Sequence, residues 1–572
     1  MKATEIKKGI YWVGAIDWNV RDFHGYSTSR GTTYNAYLVV GKKVALVDTV
    51  KHDFADEMFE RIKDVIPIEK IDYIIANHVE MDHSGTLPKI MEMLPDAKLV
   101  CSAKGAEGFE KTYQKNWKYE VVKTGDTIDL GGKTLTFIEA PMLHWPDSMF
   151  TYVKGDKVLL PNDGFGQHIA TSQRFDDEVD MADIWSEYQK YYANILWPFS
   201  SLIAAMLKKI TELKLDIEII GPSHGIIWRK HIPEAIKKYE QWSSGYVKNK
   251  IVITYDTMWE STQKMAKEIA EGVRSEGVEV KLLRLRLNHR SDIIKEALEA
   301  KAILIGTPTL NNTIYPTVAE LLTYIRGLRP QKKIWHAFGS YGWGGGGVEA
   351  VEKEFKDCAY EFESSKLKVQ YVPTDKELKE CFVFGAAFAK KSKRKNNMTK
   401  TDENLKEAFA GESMARNKYD YFAKVARKEG YHFVASLFEE TALNEMQHAK
   451  DHFKFMKGIG STTDNLKAAI EGEHYENTQM YPTMAKEARE DGEEEIALKF
   501  ENISKVEEKH EKRYRKLLKM VEEGTIFKSK KPIAWKCSKC GYIHVGNEPP
   551  EKCPSCAHPR GYFGPESLSF VD

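Results

Sequence analysis

Tyr73-Ile74-Ile75-Ala76-Asn77-His78-Val79-Glu80-Met81-Asp82-His83 decides how the first part of the chain is read. Its opening half is a short apolar run with the texture of a buried strand. The other half places four potential metal ligands, His78, Glu80, Asp82 and His83, in six consecutive positions. Core packing gives no reason to crowd so many ionisable groups together. Three further candidates occupy similar places, since His144 follows TLTFIEAPML, Asp163 follows KVLLPN and His224 follows IEIIGPS. Strand ends that each deliver a histidine or a carboxylate are how a sheet gathers ligands distant in sequence.

Around this motif the chain has 572 residues, 42% apolar and 29% charged, enough for several domains with their own cores. Its 84 basic and 84 acidic residues balance, which argues against a nucleic-acid or membrane-surface partner. The opening MKATEIKKGIYWVGAIDW lacks the apolar centre of a signal peptide, and the apolar stretch near Phe382 to Ala389 is too short to span a bilayer. A cytoplasmic protein is expected. Of seven cysteines, Cys101, Cys358 and Cys381 are scattered, while Cys537, Cys540, Cys553 and Cys556 form two CxxC pairs. That pattern suits a reducing compartment and a metal site better than disulfides.

Composition divides the chain at about residue 248. Residues 1–248 mix short strands, loops and helices, including a hairpin at Gly41-Lys42 within YLVVGKKVALVDTV. Residues 249–390 read as regular βαβ, with IVITYDT, VEVKLLRL, AILIGTP and KKIWHAFGS as parallel strands. Three loops fall at the C-terminal strand ends, the ligand-binding edge of such sheets. The first is Thr257-Met258-Trp259-Glu260-Ser261-Thr262, whose hydroxyls precede a helix N-terminus suited to a phosphate. Taken alone it reads equally well as a helix N-cap, and Glu260 puts negative charge near such a phosphate. The second is Thr307-Pro308-Thr309-Leu310-Asn311. The third, Gly339-Ser340-Tyr341-Gly342-Trp343-Gly344-Gly345, offers two aromatic rings for stacking.

The basic run AKKSKRKNNMTK reads as a linker over residues 391–400, and its internal Met398 suggests a fusion of two genes. Residues 401–525 are helical in pattern. Glu445 with His448, and Glu507 with His510, form two ExxH pairs whose members share a helix face. One such pair is common on a solvated helix. Two pairs, with Glu412 on an earlier helix and Glu473 and Glu476 on a third, are the ligand pattern of di-iron four-helix bundles. In residues 530–572 the CxxC pairs stand twelve residues apart and close a tetrahedral S4 site for zinc or iron. Trp535, Tyr542, the Cys-Pro-Ser-Cys form of the second knuckle and the di-iron pattern upstream resemble rubredoxin, a resemblance that implies a one-electron iron centre.

Residues 1–390 resemble the flavodiiron proteins of the metallo-β-lactamase fold. Hydrolases of that fold usually carry HxHxDH and bind zinc; here the second ligand is Glu80, a harder donor that favours iron. The resemblance implies that His78, Glu80 and His144 hold one iron, that Asp82, His83 and His224 hold the other, and that Asp163 bridges them. His24 and His168 lie in stretches similar to the outer layer of that site. The resemblance also implies FMN on Thr257, Met258, Trp259, Ser261, Thr262, Pro308, Thr309, Leu310, Asn311, Ser340, Tyr341, Gly342, Trp343 and Gly344.

Residues 401–572 resemble rubrerythrin with its rubredoxin-like domain, in which Glu476 shares or exchanges a ligand position with His448. The expected architecture is an αββα sandwich, a flavodoxin-like α/β domain, a ferritin-like four-helix bundle and a rubredoxin-like knuckle domain. The expected activity is electron transfer to O2, giving water, or to NO, giving N2O, with H2O2 reduced at the bundle, in defence of an anaerobe. Rubredoxin or an NAD(P)H-dependent rubredoxin reductase is the implied donor, and a head-to-tail homodimer or a homotetramer the implied assembly. A zinc hydrolase and an electron carrier or iron store are the alternative classes.

Overall fold

Alternating burial along short strands builds the first half of the protein. The computed structural model describes residues 1–395 and 400–566, in two units that divide after Asn397. In the first unit, one sheet contains β1 (Thr4–Lys7), β2 (Ile10–Trp12), β3 (Tyr37–Val40), β4 (Val44–Val47), β5 (Ile71–Ile75), β6 (Lys98–Cys101) and β7 (Tyr119–Val121), in that order. The expected hairpin pairs Tyr37 with Val47 and Val40 with Val44, and β4 to β7 run parallel. A second sheet orders β8 (Thr127–Asp129), β9 (Thr134–Glu139), β10 (Met149–Lys154), β11 (Val158–Leu160) and β12 (Ile219–Ile220).

Side chains on a strand point to alternate faces, so each sheet is apolar on both sides. Tyr37, Val39, Ala45, Val47, Tyr73 and Ile75 meet Leu135, Phe137, Met149, Val153 and Val158 between the sheets. The intervening Leu38, Val44, Leu46 and Ile74 pack outward against Met58, Phe59, Ile62 and Phe109 of flanking helices. The outer face of the second sheet is covered by helices that include α1 (Met181–Tyr191). This is the αββα sandwich expected from the sequence. Its functional consequence is positional: the loops after β5, β9, β11 and β12 carry the seven candidate ligands.

The flavodoxin-like sheet comprises β13 (Lys248–Tyr255), β14 (Glu279–Arg284), β15 (Ala300–Pro308), β16 (Ile334–Tyr341), β17 (Glu361–Phe362) and β18 (Lys368–Gln370). All its pairs are parallel, in the order β14-β13-β15-β16-β17, with β18 also on β16. One face packs on α2 (Ser261–Ser275). The other, with α3 (Pro316–Leu328), shares a continuous core with the helical layer over the sandwich. The final helix, α4 (Asp375–Lys395), runs five residues past the expected boundary. Ser392 is buried and the basic side chains are met by acids: Lys390 lies 3.3 Å from Glu276 and Lys391 pairs with Glu363. Paired charges and a buried seryl turn thus keep residues 391–395 helical where a linker was expected. Met398 lies outside the described residues.

The second unit contains α5 (Lys400–Lys428), α6 (His432–Phe455), α7 (Thr462–Tyr475), α8 (Tyr481–Glu490) and α9 (Glu494–Glu522). A π-helical turn, Glu476–Met480, joins α7 to α8. These helices bury mainly small side chains, Ala423, Ala426, Ala435, Ala442, Ala449, Ala485 and Ala497 among them. The knuckle domain is a three-stranded sheet of β19 (Ile533–Cys537), β20 (Ile543–Gly546) and β21 (Phe563–Pro565), closed over Trp535 and Phe563. No helix among the described residues is long and apolar enough to cross a membrane.

Lys333 marks the seam between the flavodoxin-like sheet and the sandwich's helical layer. Its Nζ donates to the carbonyls of Leu298 and Ala300 at 2.7 and 2.6 Å and lies 5.4 Å from the Trp197 ring centroid. Burial pulls this amine down from 10.5 to about 7. Between those values the unfolded chain keeps a proton that the folded protein has shed, so this site favours folding increasingly as pH rises through the window. The melting-temperature difference between Lys333→Met and the unaltered protein is therefore expected to move steadily against the variant between about pH 7 and 10. A difference independent of pH would mean that the buried amine stays charged.

Candidate functional site

In the sandwich the seven sequence-selected ligands converge from four loops. His78, Glu80, His144 and Asp163 form one group, and Asp82, His83 and His224 form another. Asp163 stands between them. Its Oδ2 faces His78 Nε2 at 3.6 Å and His144 Nε2 at 3.4 Å, while its Oδ1 faces His83 Nε2 at 3.1 Å and His224 Nε2 at 3.5 Å. Glu80 Oε2 lies 3.4 Å from His78 and 3.3 Å from His144, and Asp82 Oδ2 lies 3.1 Å from His224.

Several of these atoms are buried with no hydrogen-bond partner: His78 Nε2, His83 Nε2, both Asp82 oxygens and Asp163 Oδ2. Buried polar atoms without partners are costly unless something else coordinates them. The residues therefore fit a pair of cations, and a nitrogen set joined by three carboxylates suits iron. Burial alone would lower His83 and His144, but Asp82 and Asp163 hold the first, and Asp163 and Glu80 the second, up at about 9. Metal entry must displace those protons.

An outer layer fixes the ring orientations. Asp147 Oδ2 lies 3.0 Å from His78 Nδ1 and also accepts from the Val79 N–H at 2.7 Å. His224 Nδ1 donates to the Thr33 carbonyl at 2.7 Å. The hydroxyls of Tyr191 and Ser223 donate to Asp163 Oδ1 at 3.0 and 2.9 Å. His24, largely exposed, lies 3.2 Å from Glu80. His168 packs 4.7 Å from the His224 ring and is kept neutral by burial and by His224. Neither histidine joins a ligand group. A cavity of about 210 Å³ opens on the site between Phe23, Tyr26, Tyr191, Ile195 and Tyr324.

At the C-terminal edge of the flavodoxin-like sheet a cleft of about 710 Å³ collects Met258, Trp259, Ser261, Pro308, Thr309, Leu310, Asn311, Ser340, Tyr341, Gly342, Trp343 and Gly344. Asn312, Tyr371 and Val372 line it too and were not foreseen. Thr257 and Thr262 do not line it. The Thr257 hydroxyl is buried without a partner and that of Thr262 lies 2.8 Å from Ser340 Oγ. Glu260 is exposed and points no charge into the cleft. Trp259 and Trp343 are 88% and 91% exposed, aromatic walls that a planar ring system would cover. Gly346 has φ +116°, and a Cβ there would meet the Asn312 carbonyl oxygen at 2.3 Å, so the third loop can approach the second only as glycine. The cleft fits FMN.

In the second unit Glu412, Glu445 and His448 form one group on α5 and α6, and Glu473, Glu507 and His510 a second on α7 and α9. Within each, the histidine touches its i−3 glutamate, at 2.9 and 2.7 Å. Glu445 beside it raises the Glu412 carboxyl, and burial together with Glu507 raises Glu473. Such carboxyl crowding fits cations. Glu476 is close enough to act on Glu473 but belongs to neither group. In the knuckle domain the sulfurs of Cys537 and Cys556 lie 3.8 Å apart and those of Cys540 and Cys553 3.6 Å apart. A tetrahedral metal–sulfur distance of about 2.3 Å gives an edge of about 3.8 Å, so the site fits one M(Cys)4 ion. The Tyr542 N–H donates to Cys540 and, with Cys556, brings its thiol down to about 6.

Comparison with known proteins finds the same divisions. Residues 32–225 match the family model of the ODP family beta lactamase, 253–385 flavodoxin, 403–518 rubrerythrin and 535–564 the rubredoxin-like domain of rubrerythrin. A nitric oxide reductase of Moorella thermoacetica is 51% identical over 388 residues, 67% of this chain and 97% of its own. The anaerobic nitric oxide reductase flavorubredoxin of Escherichia coli is 41% identical over 391 residues, 67% of this chain and 81% of its own. Rubredoxin oxygen:oxidoreductase from Desulfovibrio gigas superposes with a TM-score of 0.68 at 41% identity, covering 69% of this chain and 100% of its own.

Geometry and likeness agree on a class, an oxidoreductase in which a flavin and a two-iron site share one polypeptide. The chain belongs to the flavodiiron protein family, and a rubrerythrin-like region and a rubredoxin-like knuckle follow that core. Its cofactors are FMN, an iron pair in the sandwich, a second pair in the helical region and one iron on four cysteines.

Asp147 touches no metal position but aligns His78. Such outer partners typically contribute 10–100-fold in metal affinity, so Asp147→Ala is expected to weaken iron retention in the sandwich by about that factor. Timed chelator competition, with iron counted per FMN, checks it. Retention equal to that of the unaltered protein would assign the orientation of His78 to packing alone.

Proposed function

We propose that the sandwich site reduces O2 to two waters with four electrons and four protons, and two NO to N2O and water with two of each. The helical region reduces H2O2 to two waters with two electrons and two protons. The observation that carries the first reading is Asp163, one carboxylate with an oxygen turned to each of two ligand groups. An iron pair held by these two groups would, with FMN, supply the electrons and the binding sites for small oxidants. The chain's own residues do the rest. Tyr191 and Ser223 hold Asp163 with one oxygen toward each ligand group. His24, at the cavity wall, places its Nε2 3.2 Å from Glu80. Phe23, Tyr26 and Ile195 limit access to small molecules.

The relatives support both gases, since one is named a nitric oxide reductase and another a rubredoxin oxygen:oxidoreductase. Electrons arrive one at a time at the Fe(Cys)4 centre, from a rubredoxin or an NAD(P)H-dependent rubredoxin reductase, and serve a cell that must clear these oxidants. The flavin cleft and the iron cavity of one chain have no lining residue in common. This favours a head-to-tail dimer in which the flavin of one copy serves the irons of its partner. A zinc hydrolase is not favoured, given Glu80 and the attached flavin and rubredoxin-like domains.

Anaerobically reduced protein given metered O2 or NO is expected to consume four electrons per O2 without accumulating H2O2, and one electron per NO. Asp163→Asn should bring both reactions to background while FMN stays bound. Glu507→Gln should remove only the consumption of added H2O2. Cys553→Ser should abolish turnover with the reductase and spare a single turnover of the chemically reduced protein. Slow O2 uptake with undiminished peroxide release would overturn the water-forming reading.

A further inference from the structure

The two ligand groups of the helical region do not face one another within one chain. Among the described residues neither α5 nor α6 packs along α7, α8 or α9, whereas α5 packs on α6, and α7 and α8 on α9. The side chains of His448 and Glu412 are 57% and 30% exposed and that of His510 is 38% exposed, against 0% for His78 in the sandwich. Apolar residues on the same helix faces are equally uncovered. Val434 and Leu437 on the face of Glu445, and Ile496 on that of Glu507, are each more than 40% exposed. Each chain thus presents two half-sites, each with a Glu and an ExxH pair, where a di-iron bundle needs both.

We propose that the second di-iron centre is built between two copies of this chain, α5 and α6 of one closing on α7 to α9 of the other. This rests on the reading of that region as a di-iron site. The connection decides for a second copy. A ferritin-like bundle joins its second and third helices by one long crossover, but here only Met456–Ser461 separate α6 from α7. Bringing Glu473 level with His448 in that topology sets Thr462 about 27 Å from Phe455 along the bundle axis at 1.5 Å per residue. Six linking residues, even fully extended, reach about 25 Å, with the sideways step still to make.

Nor is the link extended. The Gly458 N–H donates to the Phe453 carbonyl at 2.9 Å, the Gly460 N–H to Asn465 Oδ1 at 2.8 Å, and Ser461 and Asp464 form a capping box. Both helix ends are therefore satisfied in the open form, and nothing in the turn works toward closing it. A two-fold pair of chains completes two identical centres and covers both apolar faces.

The test is complementation between full-length chains. One carries Glu412→Gln with Glu445→Gln, the other Glu473→Gln with Glu507→Gln, under different tags. Each alone is expected to hold only the sandwich pair and the four-cysteine iron. Co-produced and purified through both tags, the mixed assembly has one centre built from two intact halves. It should recover about half of the helical-region iron and its Mössbauer signal. Because the flavodiiron halves can associate independently, the iron count decides and the size of the assembly does not. No recovery, with the unaltered protein holding the pair and both variants fully helical, would show that the centre closes within one chain. If the unaltered protein holds no such pair, the di-iron reading falls and this proposal with it. Where a glutamine pair fails to fold, His448→Gln crossed with His510→Gln repeats the measurement.

Discussion

One carboxylate organises the catalytic half of this protein. Asp163 is fully buried, and its two oxygens are committed in opposite directions by four imidazoles. Such a charge is tolerable in the interior only when cations or donors surround it. The fold supplies them from four separate strand ends, because β5, β9, β11 and β12 terminate on the same edge of the sandwich. The packing between the sheets is what holds that convergence. Tyr37, Phe137 and Val153 interlock there, and slipping any strand by one residue would reverse its apolar face and withdraw its ligand.

The same ligand types recur in the helical region under different control. An ExxH pair gets its geometry from the helix alone, so Glu445 and His448, or Glu507 and His510, are in contact without any tertiary help. The sandwich gains the reverse property. Its ligands mean nothing singly, but the core that gathers them also dehydrates them. Low dielectric makes the sandwich charges strongly coupled, as the raised His83 and His144 show. The side chains of His448 and His510 in the helical region are instead 57% and 38% exposed in an isolated chain.

Much of this was legible in the residues. The ligand-dense stretch after Tyr73–Asn77, the recurrence of ExxH on two helices and the CxxC pairs each carry a recognisable ligand spacing, and the structure brings these residues into groups. The outer layer was not legible. Asp147 sits in an ordinary loop three residues after His144, and its contact with His78 depends on how two distant loops meet. The Thr33 carbonyl that orients His224 has no sequence signature at all, since every residue has a carbonyl. Tyr371 and Val372 lie on an exposed turn far along the chain from the three flavin loops. The end of α4 was misplaced because a run of lysines reads as solvated, whereas Glu276 and Glu363 lie across the fold to receive it.

Size separates the remaining classes of chemistry. Hydrolases of the lactamase-like fold need room beside their metals for an ester, thioester or lactam, and ligand pockets for such molecules run to about 300–1,000 Å³. The cavity on this two-metal site has about 210 Å³. Part of its wall is Tyr324, a residue of α3 in the flavodoxin-like domain, whose hydroxyl donates to Asn194 Oδ1 at 2.9 Å. Asn194 itself lies in the π-helical segment Tyr192–Leu196, which follows α1 directly and turns that side chain to the seam. The domain that binds the flavin therefore also narrows the mouth of the metal site. With Tyr324 in its wall, the cavity stays below the size that a bulky hydrolase substrate needs. Diatomic gases need no such room.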